Sequence, residues 1–387
     1  MIIDREYAKC LSYGSQLMGF GGGGGEQDGI DLYEKAFSIA DENGSKIELI
    51  SVQELIERHP EGGMVVTISG VGSPASETAY TPTEYYPRLM ELLDTQLESD
   101  QKIVGFISCE IGASSSFEPF IPAAMTCLPI IDAPCDGRAH PLGLMGALGL
   151  EKKGFSVIQV GLGGKKGEDG KVGDYLEIAV KASVESAAAL IRNAAAAAGG
   201  AVSVARNPVD LDWLDKNSAK GAYRQAYELG STWKAGLESK TSAAKLATVI
   251  SELLNGRVIC RGKLINYKCD TANALDNGSF QIADSTLGDD VEFSFFNEYM
   301  TMESMSDGKR KYTFPDGMAV IGESDMKLYS SAMLKDHDGE AFYVIATSHS
   351  NLVIPTGLRY RNSYNKVEEI LKKSMISYLD HDGFFLD

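Results

Sequence analysis

The spacing of apolar positions along the chain changes character twice. From Arg5 to Met18 they recur at helical intervals, with Tyr7, Ala8, Leu11 and Leu17 on one face. A second helix is expected from about Ile30 to Ala40, with Asn43-Gly44 as its stop signal. Five consecutive glycines, Gly21 to Gly25, stand between the two. KIELIS then reads as a short strand and Val52 to Arg58 as a short helix. Next, apolar runs at Met64–Pro74, Lys102–Gly112 and Leu128–Asp132 alternate with helical patterns at Tyr85–Leu97 and Phe117–Thr126. That rhythm predicts a mostly parallel sheet with right-handed crossovers and flanking helices. Helices are also expected over Ala139–Leu150, over the Ala-rich Asp174–Ala198, and in two stretches between Lys216 and Leu254, with one further strand at Val157–Gly161.

From Gly256 the texture turns to short alternating runs broken by Gly, Asp and Asn, which predicts strands. The expected architecture is therefore α/β: an N-terminal, mostly parallel sheet with helices, plus a C-terminal β-rich domain. The expected boundaries are 1–245 for the first domain, 246–358 for the second, and 359–387 for a C-terminal segment whose helix, Asn365 to Leu379, packs back.

Composition narrows the partners. The formal net charge is -18, which opposes nonspecific binding to nucleic acid or anionic membrane. No run approaches the ~20 apolar residues that span a bilayer, and the start MIIDREYAKC has no leader-like apolar region. The six cysteines form neither a CxxC pair nor a secreted disulfide framework, so a cytoplasmic protein is expected. The pattern is compatible with a homo-oligomer acting on a small molecule.

Two strands carry the candidate chemistry into one neighbourhood. The first ends at Cys109-Glu110, followed by Ser114, Ser115 and Ser116; the second ends at Asp132, followed by Cys135, Asp136, Arg138 and His140. In open α/β sheets ligands bind beyond the carboxyl ends of strands. Cys, His and Asp are zinc-ligand types, and a catalytic zinc commonly has three protein ligands and one open position. Cys135, His140 and Asp132 are thus candidate ligands of a zinc ion. Alternatively Cys135 is a nucleophile activated by Arg138 or His140, or it simply packs while Arg138 pairs with Asp136. The glycine run matches neither dinucleotide nor P-loop spacing; it reads as a place where backbone approaches a small ligand or as a structural turn. Asn297-Glu298 interrupts a strongly apolar strand and needs partners or solvent. His349, in TSHSN, is a further candidate for the rim between the domains.

In this order GFGGGGG, SGVGSP with Glu77, CEIG, IIDAPCDGRAHP, FFNEYM and FPDGMAVI occur along the chain. The series resembles the S-methyl-thiohydantoin desulfurase-like family, often grouped near hydantoinases and oxoprolinases, over nearly the whole length. Glu110, Asp132, Gly137 and Arg138 match the family pattern. Ala113 and the serines depart from it, and Cys135 and His140 stand where the family has other residues. The swap softens a metal site and favours zinc over magnesium. The resemblance implies a zinc-dependent hydrolase or desulfurase acting on a small cyclic amide or thiohydantoin-like ring. Glu110, Asp132 and Arg138 would be catalytic, and Gly22, Gly23, Gly24, Glu77 and Ser114 would bind substrate. The alternatives are a metal-free Cys135 thiol enzyme and a non-catalytic binding subunit that partners a hydantoinase or oxoprolinase.

Overall fold

The structure is a computed structural model that describes residues 1–72, 78–154, 156–167, 172–272, 275–381 and 383–387. Among these residues the strands form two eight-stranded sheets. The first contains β1 (Leu49–Ile50), β2 (Met64–Gly72), β3 (Ala79–Tyr80), β4 (Ile103–Ser108), β5 (Ile130–Ile131), β6 (Val157–Lys166), β7 (Val172–Ala182) and β8 (Ala201–Asp210). Its order is β1-β5-β4-β2-β8-β6-β3, with β7 also on β6. The pairs β1/β5, β5/β4 and β4/β2 are parallel, and this half carries the strand ends singled out above. Beyond β2 the pairings are antiparallel.

Helices α1 (Arg5–Met18), α2 (Glu26–Asn43), α3 (Val52–Arg58), α4 (Tyr86–Asp94), α5 (Phe120–Thr126), α6 (Val184–Ala197), α7 (Leu211–Asn217) and α8 (Ala222–Glu238) accompany this sheet, while α9 (Ala243–Leu253) packs against the second. Several start on side-chain caps that satisfy otherwise unpaired amides: Asp4 accepts from Tyr7 N, Ser51 from Glu54 N, and Asp210 from Trp213 N. The second sheet runs from β9 (Arg257–Ala272) through β10 (Leu275–Gly288), β11 (Val291–Phe296), β12 (Glu298–Ser304), β13 (Arg310–Thr313), β14 (Gly317–Gly322) and β15 (Leu328–Tyr329) to β16 (Ala341–Thr347). It is antiparallel throughout, in the order β13-β12-β11-β10-β9-β16-β14-β15. One core joins the sheets: Phe106, Phe117, Phe120 and Trp233 lie in the same buried cluster as Ile321 and Ile345. The mixed α/β class with an antiparallel C-terminal sheet is the one expected.

Three expected elements take other forms. Asp174–Ala198 is not one helix. Its first part is strand β7, mostly exposed on the far side of β6, and Ser183 caps a helix only from Val184. Ala139–Leu150 is a chain of turns, because Pro141, Gly143, Gly146 and Gly149 interrupt any helix and Gly149 takes φ +71°. The C-terminal helix is two short ones, α10 (Asn365–Leu371) and α11 (Ile376–Leu379). Lys372 breaks between them at φ +54°, and Glu368 Oε1 accepts from Met375 N and Ile376 N. Their apolar side chains share a cluster with Phe296, Met300 and Phe314 of the second sheet region and with Met145 of the first. No helix among the described residues is long and apolar enough to cross a membrane.

Candidate functional site

The backbone brings the two strand tips together. β4 and β5 are neighbours, with Phe106 opposite Ile130. Past their ends, Cys135 N donates to Ser108 O at 3.0 Å and Ile111 N to Asp136 O at 3.0 Å. The side chains of the second tip then fan out in three directions, and that divergence decides which of them share chemistry.

Asp132 turns to the start of α8. Its backbone O accepts from Gly221 N at 2.9 Å and its Oδ1 from Tyr223 N at 2.8 Å, so the carboxylate lies at the positive end of that helix. Burial pushes its pKa up. Cys135 turns into the sheet core. It has no exposure, its Sγ lies 3.2 Å from Thr67 Oγ1, and burial pushes the thiol up to about 11. Such a thiol is neither ionised near neutral pH nor open to a substrate. Asp136 and His140 turn to Glu110.

The set of Asp132, Cys135 and His140 therefore does not converge. Among the described residues no group of three or more His, Cys, Asp or Glu side chains is arranged to hold a metal ion. The three side chains do not form the expected zinc ligand set.

What does converge is a buried knot of acids around an imidazole. His140 Nδ1 lies 3.2 Å from Glu110 Oε2 and 3.3 Å from Asp136 Oδ2. Glu110 Oε2 also accepts from His140 N at 3.0 Å, and Glu110 Oε1 accepts from Ser115 Oγ at 2.8 Å. Asp136 Oδ1 takes Arg138 N at 3.2 Å. Burial raises the Asp136 pKa, against the pull of His140. On its other edge the imidazole abuts Gly146, where a Cβ would stand 2.4 Å from Nε2. Glu110 and His140 line a cavity of about 980 Å³, on the side where Ser114 also stands.

Arg138 lies behind the knot, not in the cavity. It is fully buried, with Nη1 donating to Asp316 O at 2.5 Å and Nε to Ala139 O at 3.2 Å. Its guanidinium sits over Phe314 at 4.4 Å and Phe20 at 5.0 Å. The expected substrate clamp is thus an internal cation that offsets Asp136, Glu298 and Asp316. Glu298 is itself buried, and desolvation followed by repulsion from Glu110 pushes its pKa well up. His349 is placed elsewhere: its Nδ1 pairs with Asp316 Oδ1 at 2.8 Å.

The glycine run stitches the two sheets together over this knot. Gly23 O accepts from Ser114 N at 3.0 Å and from Ser115 Oγ at 2.9 Å, while Gly21 O accepts from Ser331 N at 2.9 Å. A Cβ on Gly22 would meet Glu298 Oε1 at 2.1 Å. Gly23 combines φ +82° with a Cβ position 2.5 Å from Gly112 Cα, so no other residue fits. Gly22, Gly23, Gly24 and Ser114 all line the cavity, as do the neighbouring Asn297, Glu298 and Ser331. Glu77 lies outside the described residues.

Further residues of the cavity had gone unread. Arg206, Arg192, Gln159 and Glu118 line it. Arg206 belongs to β8, a strand that the pattern of AVSVARNPVD could have revealed through its alternating valines. Gln159 stands directly across from it on β6. Glu118 is pushed up to about 7 by burial, against a hydrogen bond from Tyr86 Oη at 3.0 Å.

The chain shares its fold with a crystal structure of a protein from Chromobacterium violaceum, a structural-genomics target. The two are 16% identical, the match covers 96% of each chain, and the TM-score is 0.68. No curated protein matches the chain. The family comparison matches the S-Me-THD-like N-terminal domain over residues 6–167 and the S-Me-THD-like C-terminal domain over residues 182–360. The junction between those two matches falls inside the first sheet, between β6 and the end of β7. With both domains matched in order over most of its length, the chain belongs to the S-Me-THD-like family.

Proposed function

We propose that the cavity is the active site of a hydrolase or desulfurase for small thiohydantoin-like or cyclic amide rings. The observation that carries this reading is the Glu110–His140–Asp136 knot opening on a cavity large enough for such a ring. Membership of the S-Me-THD-like family supports this choice of substrate class.

In this reading water attacks the ring carbon and its oxygen bonds there. Glu110 takes the proton released by the water. The bond from that carbon to sulfur or nitrogen then breaks, and the same proton passes to the leaving atom. His140 is a positioning residue: its backbone N–H holds Glu110 Oε2 in place, and its Nδ1 lies between two carboxylates. Ser115 holds the other oxygen. Glu298, whose pKa is pushed well up by burial and then by Glu110, lines the cavity beside the glycine run. The rigid glycine backbone excludes side chains from the space above the knot, leaving it to the ring.

The test is steady-state turnover of an S-methyl-thiohydantoin and of hydantoin, followed by ring opening and thiol release. Glu110→Gln is expected to lower kcat by about 10²–10⁴, with the thermal midpoint little changed. Wild-type levels of turnover in that variant would remove Glu110 as the base, and binding without turnover in the wild type would mark a binding subunit.

A further inference from the structure

At one end of the cavity two arginines have no ion-pair partner among the described residues. Arg206 is 7% exposed, and its Nε has no hydrogen-bond partner. Neither Arg206 nor Arg192 makes an ion pair or side-chain hydrogen bond among the described residues, although both line the cavity. They lie near enough for Arg206 to depress the Arg192 pKa, after burial as the larger cause. Beside them Gln159, 1% exposed, donates its Nε2 to Asn207 Oδ1 at 3.0 Å and leaves its Oε1 unmatched. Buried polar groups are almost always paired, and an uncompensated buried cation is costly. Two guanidinium groups without an acceptor and an amide oxygen without a donor are therefore fitted to something that arrives from outside.

The position of this recess ties it to the knot. Gly143 follows His140 by three residues, and a Cβ on Gly143 would stand 3.6 Å from Arg206 Nη1. A small molecule can thus touch both. The cavity's other walls carry Glu26, Asp28 and Glu84, with Lys35 close to Glu84, so negative charge is best received at the arginine end. The acid that shares the recess lining, Glu118, is turned to Tyr86.

Building on the proposed ring chemistry, we infer that Arg206 and Arg192 form a carboxylate-binding subsite, and that the protein's ligand is a ring bearing an acidic side chain. The carboxylate meets the two arginines, a ring N–H satisfies Gln159 Oε1, and the reacting carbon lies toward Glu110. Planar guanidinium groups suit a carboxylate because they offer paired donors.

Calorimetric titration of the full chain with hydantoin-5-acetate, its methyl ester and ring-free glutarate tests this. The acid is expected to bind at least about tenfold more tightly than the ester. Arg206→Gln and Arg192→Gln should each bring the acid towards the ester's affinity without weakening the ester. Arg206→Lys should keep part of the preference, which separates lost charge from a damaged fold; if Arg206→Gln does not fold, Arg192→Gln and Arg206→Lys carry the test. Equal binding of acid and ester by the wild type, or a preference that survives both glutamine variants, overturns the subsite and leaves the ring reading intact. If neither ring compound binds, the ring reading fails and glutarate decides: binding lost in Arg206→Gln upholds the subsite, and no binding overturns it.

Discussion

The two ends of the cavity handle buried charge in opposite ways. At the strand tips acidic and basic groups are packed against one another: His140 sits between Glu110 and Asp136, and Arg138 lies behind with Glu298 and Asp316 around it. At the β8 end Arg206 and Arg192 have no ion-pair partner among the described residues. An internally balanced cluster can hold a proton donor and acceptor in fixed geometry before any substrate enters. An unbalanced one gains its partner only on binding. One end is built for reaction and the other for recognition, and each can be broken separately.

The largest expected effect is on the balanced end. Removing one partner of a buried ionic cluster strands the rest, at a cost of about 3–5 kcal/mol. Arg138→Met keeps much of the volume and the packing against Phe20 and Phe314 but removes the donors to Asp316 O and Ala139 O and the buried cation whose charge acts on Asp136, Glu298 and Asp316. Urea unfolding should show a loss of that size. A loss under about 1 kcal/mol would mean that Arg138 contributes mainly packing. His140→Leu should come next. It retains the backbone N–H to Glu110 but leaves no polar atom between the carboxylates. Turnover of the ring substrate is expected to fall about 10²-fold, and the pH profile of kcat should change shape, which a purely structural role would not produce.

The same contrast explains what could be read from the linear chain. Glu110, Asp136 and His140 announce themselves because polar residues at the ends of apolar strands break a strong pattern. The bends that follow them are a different matter. Whether Asp132 looks at Glu110 or at a helix start is set by Gly221 and Tyr223, some ninety positions away, and no local pattern carries that information. The zinc reading of Asp132, Cys135 and His140 rested on residue type and spacing, and the divergence of three side chains from one loop undid that ligand set. The arginine end was hidden for another reason. Arg192 lies within an Ala-rich helix whose high helix propensity dominates the local pattern, and Arg206 lies on the strand that follows it.

Glu118 tests whether the arginine end truly lacks a counter-charge. Its folded pKa, about 7, lies above the usual carboxylate range because burial favours the protonated form. A raised folded pKa contributes stability that is complete below the unfolded value and is lost as pH rises through about 7. Glu118→Gln mimics the protonated form, so it should match the wild type near pH 4.5 and be the more stable protein at pH 8, by a kcal/mol or more. Thermal melts at the two pH values decide this. A variant less stable than wild type at pH 8 would show Glu118 acting as an anion toward Arg206, and the two ends of the cavity would then be alike.

The smallest effect belongs to Cys135, and its smallness is informative. The thiol is fully buried in an apolar cluster with Ile131 and Leu148, and its one polar neighbour is Thr67 Oγ1. Serine at this position keeps a group that can bond Thr67 and loses only the larger, softer sulfur. Cys135→Ser is therefore expected to cost about 1 kcal/mol of stability and to leave kcat within about twofold. It should also leave the metal content of the purified protein unchanged, whatever that content is, because Sγ faces Thr67 while His140 faces the carboxylates. Iodoacetamide labelling should reach the exposed Cys127 and Cys269 well before Cys135. A hundredfold loss of turnover would restore the thiol as nucleophile, and a loss of bound metal would restore it as a ligand. Either result would require the loop from Asp132 to His140 to turn its side chains together in solution, so that the reactive end of the cavity, unlike the arginine end, would be assembled only when the protein works.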